Sequence, residues 1–213
     1  MASPLTVYSS ADGFLMSENS SYALARASAT YSFADINSVT VGQQIFAPSY
    51  YLSEAFLAFD TSEIAAGDEV TSAVLSLYGQ LDGTTTNFVM EAYASDWGTS
   101  LGLTDWVAGA DLGGLTLLAS YDMAGGWPTN QYTNLSSEDA FLAAIVKEGT
   151  TRIVLVSNRM RLGTAPSNDE QVGVYMRQKG VDYAPKLTVG FTSGGGEPPA
   201  SSAIMLPCWP GVW

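Results

Sequence analysis

The 213-residue chain contains no histidine. That removes the side chain most often used as a general base and as a metal ligand, and with it every Ser-His-Asp or Cys-His arrangement. The one cysteine, Cys208 in LPCWPG, stands between two prolines with no base beside it. It fits apolar packing better than nucleophilic attack. A glycosidase needs only two carboxylates about 5 to 9.5 Å apart, but the 21 acidic residues fall singly in turns such as ADG, LDG and GADLGG. In such turns Asp-Gly serves the backbone. A polysaccharide lyase or hydrolase is therefore the least favoured class, and a non-enzymatic protein is expected. Acidic turns also suit a hard cation, which makes Asp12, Glu18, Asp60 and Asp82 candidate calcium ligands. None of them lies in the dense D-x-[DN]-x-[DN]-G spacing, and no other cofactor is expected.

The remaining chemistry is aromatic. An indole face packs well against the C–H face of a pyranose, and Trp97, Trp106 and Trp127 are the tryptophans of the body. Trp97 ends a strand-like stretch and Trp106 follows an apolar one, so both are expected in the core. Trp127, in the loop MAGGWPTNQY, is expected to be exposed. With Tyr121, Asn130 and Tyr132 it forms a candidate glycan-binding group. Arg159 and Arg161 in SNRMRLG are expected to alternate on one strand face and to pair with the acidic body of a neighbouring copy.

The chain closes on GGGEPPASSAIMLPCWPGVW, a spacer followed by clustered apolar side chains. Exposed apolar surface of this kind marks a contact site. Ile204, Met205, Leu206, Trp209, Val212 and Trp213 are the candidate docking residues, and Trp and Met are types that interfaces favour.

The composition bounds what these residues can do. Hydrophobic residues make up 46% and charged residues 14%, which marks a globular chain with a surface of small polar residues. The net charge of −13 is unevenly spread: residues 1–146 hold Arg26 as their only cation against 16 acids, while residues 147–213 hold seven cations against five acids. Such a body repels phosphate backbones and anionic membranes, so nucleic acid and membrane are not expected partners. No apolar run approaches the ~18 residues that a membrane span needs. The start MASPLTVYSSADG has neither a basic region nor an apolar run, so no signal peptide is expected, and the expected location is a virion assembled in the host cytoplasm.

Strand signals dominate the elements that must position these groups. SYALARASATYSF, EAFLAFDTS, EVTSAVLSLYGQL, NFVMEAYASDW, TRIVLVSNRM, QVGVYMRQ and PKLTVGFTS give about seven or eight strands separated by Gly, Asp, Asn and Pro clusters. SSEDAFLAAIVKEG reads as one helix across residues 136–149: serines at its start, acids in its first turn, and an apolar stripe of Phe141, Leu142, Ile145 and Val146. The spacing predicts an all-β sandwich with one short capping helix. The division is a body over residues 1–191, a Gly/Pro/Ser linker over 192–202 and an apolar tail over 203–213.

YLSEAFLAFDTSEIAAGDEVTSAVLSLYG resembles the core motif of DNRLRE-type domains, relatives of a carbohydrate-binding module. The matching residues are Phe59, Asp60, Ile64, Gly67, Val70, Ala73, Leu75, Leu77 and Tyr78. DWGTSLGLTDW is similar to that family's Trp and Leu-Thr-Trp element, and YAPKLTVGFT to its closing strand. The resemblance spans roughly residues 5–192 and implies a β jelly roll. It departs where Ala58 replaces the family's frequent arginine.

Together these features favour a structural protein of a bacteriophage-like virion, either a capsid decoration, a head fibre or a tail-associated subunit. It would dock through its tail onto other virion proteins or copies of itself. The alternative is a carbohydrate-binding module recognising polysaccharide.

Overall fold

The computed structural model describes residues 4–194. Twelve strands lie among the described residues: β1 (Leu5–Asn19), β2 (Tyr31–Ala34), β3 (Ser38–Phe46), β4 (Ser49–Asp60), β5 (Glu69–Thr84), β6 (Val89–Ala94), β7 (Leu117–Asp122), β8 (Tyr132–Asn134), β9 (Ser136–Ser137), β10 (Thr150–Ser157), β11 (Glu170–Tyr175) and β12 (Lys186–Thr192). All pairings are antiparallel. The all-β sandwich expected from the sequence is the fold observed.

Two long strands join its layers. β1 pairs with β12 over Leu5–Tyr8, then shifts register at Ser9/Ala11 and pairs with β4 as far as Asn19. β5 pairs with β12 over Glu69–Ser76 and with β11 from Gly79 onward. Bulges of this kind bend a strand and increase its twist, which lets one strand serve two sheets. The smaller layer holds β12, β8 and the first halves of β1 and β5. The larger holds β2, β4, β10, β6, β7 and β9, with β3 and β11 beside them.

β4 is the centre of the molecule, flanked along one side by β1 and on the other by β3 and then β10. Its residues Leu52 to Phe59 are all buried. Ala55, Leu57 and Phe59 face the main core between the layers, with Ile64, Ala73, Leu75, Leu77, Leu187 and Val189. Leu52, Phe56 and Ala58 face a second core with Trp97, Trp106, Tyr93 and Met160. Both faces of this strand are therefore covered, which is why apolar residues from Ala55 to Phe59 follow one another without alternation, with Ser53 and Glu54 as the buried polar exceptions.

Two local expectations are corrected. Residues 22–27 form a helix, α1 (Tyr22–Ala27), not the first part of a strand; only the later part of that stretch pairs, as β2. Ala25 is buried in the second core and the Arg26 guanidinium reaches the Met160 and Arg161 carbonyls, so tertiary contacts outweigh the local alternation. The expected 136–149 helix shrinks to α2 (Ala140–Ala144): Ser136 and Ser137 belong to β9, and Ile145 is extended. A third helix, α3 (Asn158–Leu162), ends at left-handed Gly163, φ 70°. No helix among the described residues is long and apolar enough to cross a membrane.

Candidate binding face

The four residues of the expected glycan-binding group are split between two environments. Trp127 is only 3% exposed, in contrast to the expectation of an exposed loop residue. Its indole Nε1 donates to the Gly173 carbonyl at 3.1 Å, its backbone N–H donates to Asp82 Oδ2 at 3.0 Å, and Tyr121 packs edge-on at 5.1 Å. Burying an indole repays its area only if the N–H finds an acceptor, and here it does. Trp127 and Tyr121 hold the loop down, and the buried Trp127 presents no open indole face, while Tyr121 stays partly exposed.

Tyr132 lies on β8, on the face of the smaller layer away from the core residues Leu75 and Leu77. There it pairs in register with Tyr78 of β5, whose ring it meets at 5.1 Å. Tyr78 also meets Tyr183 at 4.9 Å and Tyr175 at 5.9 Å, and Tyr175 meets Tyr183 at 5.5 Å. All four rings are partly buried. The Tyr78 hydroxyl donates to the Asn130 carbonyl and the Tyr132 hydroxyl to the Ala184 carbonyl, so Asn130 contributes its backbone. Tyr8 stands nearby on β1, 42% exposed and in register with Lys186.

Two ammonium groups lie on these rings. Lys186 Nζ is 3.8 Å from the Tyr132 centroid; Lys179 Nζ is 5.3 Å from Tyr175 and 5.7 Å from Tyr183. The other six cations are committed elsewhere. Arg152, Arg159, Arg161 and Arg177 pair with carboxylates, while Arg26 and Lys147 donate to backbone carbonyls. Among the described residues, Lys179 and Lys186 are thus the cations that aromatic rings alone engage.

The backbone explains how this face is assembled. The loop carrying Asn130 crosses β5 at Gly79, whose N–H donates to the Gln131 carbonyl and whose carbonyl accepts from Asn130 N–H. A Cβ at Gly79 would collide with the Pro128 carbonyl, so only glycine lets the loop approach. On the other flank, the 3-10 turn Arg177–Lys179 is tied to β1. Asp12 accepts from the Arg177 N–H at 2.9 Å and from the Ser9 hydroxyl at 2.8 Å, while Arg177 reaches Asp35 at 2.6 Å. Asp12, Asp35, Arg177 and Trp97 share a recess of about 320 Å³. Burial raises the Asp12 carboxyl above its ordinary range against the opposing effect of those bonds.

The expected calcium ligands do not converge. Asp12 holds Ser9 and the Arg177 amide, Glu18 accepts from the Tyr51 and Tyr31 hydroxyls, Asp60 from Ser62, and Asp82 from Thr84 and Trp127. Among the described residues no three acidic, His or Cys side chains gather as a metal site. Trp97 and Trp106 are core residues, 5% and 9% exposed.

The two arginines expected to reach a neighbouring copy pair within their own chain. They lie on α3 and its turn, not on a strand: Arg159 reaches buried Glu170 at 2.8 Å, and Arg161 clasps Glu91 through two nitrogens at 3.0 and 2.7 Å. The six candidate docking residues from Ile204 to Trp213 lie outside the described residues. No family model and no curated protein matches this chain.

The tyrosine cluster was missed because its four rings come from three separate stretches, at residues 78, 132 and 175–183. Tyr78 was legible as an outward strand residue, but only register brings Tyr132 beside it. The available signal was the small group Tyr175, Lys179, Tyr183 and Lys186 within twelve residues.

Proposed function

We propose that this chain is a non-enzymatic structural subunit of a bacteriophage-like virion, with a β-sandwich body and a C-terminal docking tail. The observation that carries this reading is the exit of the chain from the body. β12 is held between β1 and β5, and at its end the Gly194 N–H donates to Asp68 at 3.2 Å. The apolar segment 203–213 is therefore tethered to a strand paired on both sides. Six apolar side chains, each worth about 1.5 to 3 kcal/mol on burial before ordering costs, would seat such a subunit on a partner or a second copy.

Size-exclusion chromatography with light scattering on the full chain and on a truncation ending at Ser193 tests this. The expected result is association of the full chain and a stably folded monomer for the truncation. Two equally monomeric species, with the truncation melting lower, would place the tail in its own core and sink the docking role.

A second reading, a carbohydrate-binding module, is favoured by the tyrosine face. The two are compatible, since a virion subunit can also hold a particle near a glycan-coated surface.

A further inference from the structure

Two buried polar side chains line one recess, each with an atom that lacks a hydrogen-bond partner among the described residues. The recess is the hollow of about 320 Å³ where β1, the end of β2, the 3-10 turn Arg177–Lys179 and the loop after Trp97 meet. Asp12 Oδ2 accepts from the Ser9 hydroxyl and the Arg177 N–H, but Oδ1 receives no donor, although the side chain is wholly buried. The Arg177 Nε stands 3.9 Å from that oxygen, outside hydrogen-bond reach. Trp97 has the opposite deficit: its indole N–H finds no acceptor. The ring is held in place by Phe56, edge-on at 6.2 Å, and by Arg152 at 5.9 Å over its face. Buried groups left in this way are costly unless something meets them.

The charges around the recess select what can fill it. Asp12 and Asp35 stand there against one guanidinium, so a simple anion meets two carboxylates. A simple cation meets Arg177 and leaves the Trp97 N–H as it was. A molecule carrying both charges on neighbouring atoms answers every group at once. Arg177 gives Asp35 one N–H at 2.6 Å and keeps further donors; its side chain is 41% exposed and free to turn toward a ligand, which uncovers Asp12. We propose that this recess binds a small α-amino acid as its zwitterion, with the ammonium between Asp12 and Asp35 and the carboxylate on Arg177 and the Trp97 N–H. Ala11, Ala34 and Leu101 wall the remainder, which suits a short aliphatic side chain. The site uses neither the tail nor the tyrosine face, so it stands apart from both readings of the function.

Isothermal titration calorimetry of the full chain with L-alanine, N-acetyl-L-alanine and L-alaninamide tests the proposal. Acetylation removes the ammonium charge and amidation the carboxylate. The expected result is saturable binding of L-alanine and at least about tenfold weaker binding of each derivative, for loss of one charge-assisted contact. Arg177→Gln and Asp12→Asn should each weaken L-alanine binding by about tenfold or more. Arg177 is exposed, so its variant keeps the fold even where the change at buried Asp12 loosens the turn, and near-ultraviolet circular dichroism reports whether Trp97 keeps its setting. L-alaninamide binding as tightly as L-alanine would overturn the ligand class. L-alanine binding unchanged in Arg177→Gln would overturn the site. Saturable binding of calcium chloride but not of L-alanine would make the recess a cation site, and no saturable binding of L-alanine at all would overturn the proposal outright.

Discussion

Glu54 sits fully buried in the middle of β4 and receives one hydrogen bond, from the Val107 N–H at 3.0 Å; its Oε1 meets no donor. Loss of hydration with so little compensation raises its carboxyl well above its ordinary value of 4.5. Burial also raises Asp12 and Glu170, the latter against the bonds it receives from Gln43 and Arg159. The folded chain thus keeps protons that the unfolded chain releases. Stability from these groups is complete below their unfolded values and falls as pH rises toward the folded ones. Asp60, held down by its bonds from Ser62, acts in a separate, more acidic window, where stability is lost as pH falls. Urea unfolding should therefore show lower stability at about pH 8 than at about pH 5, with a shallower slope in Glu54→Gln. Glutamine keeps the acceptor for Val107 and has no proton to lose, so an unchanged slope would acquit Glu54.

Elements succeed or fail on how they cross one another. The loop over β5 depends on Gly79, since Gly79 exchanges backbone bonds with Asn130 and Gln131 beneath the Pro128 carbonyl. Gly79→Ala should cost about 1 to 3 kcal/mol through forced displacement of that loop. Amides of residues 130–134 should then exchange faster than those of β4, and uniform protection would show that the loop does not bear on this glycine. The same crossing marks the boundary of what the sequence discloses. Ala73, Leu75 and Leu77 were legible as one face of β5 because period-2 alternation reports burial directly, whereas Phe59 and Ile64 stand out only through the family resemblance. α1 was not legible: its six residues alternate as a strand does, and their helical form follows from contacts with Met160 and Trp106, far along the chain. Trp127 was misplaced for the same reason. Its flanking Gly and Pro signal a loop, yet nothing local reveals that Gly173 and Asp82 wait beneath it.

At the scale of the whole molecule, charge works against compactness. The net charge is −13, and the cations that offset it are concentrated after residue 146. Local pairing offsets part of this: Arg161 meets Glu91 through two nitrogens and Arg159 meets buried Glu170. Arg152–Asp96, with Asp96 83% exposed, contributes little in water. Acids such as Glu63, Glu69, Asp111 and Asp122 repel one another across an exposed surface. The screening length shrinks from about 30 Å at 0.01 M salt to about 10 Å at 0.1 M, so added salt removes long-range repulsion before it weakens close, partly buried pairs. The melting temperature should therefore rise between about 10 and 300 mM sodium chloride. Chloride is the appropriate anion, because sulfate would raise stability through exclusion from the surface whatever the charge balance. A fall in melting temperature over that range would mean that the ion pairs around α3 outweigh the repulsion of the acidic body.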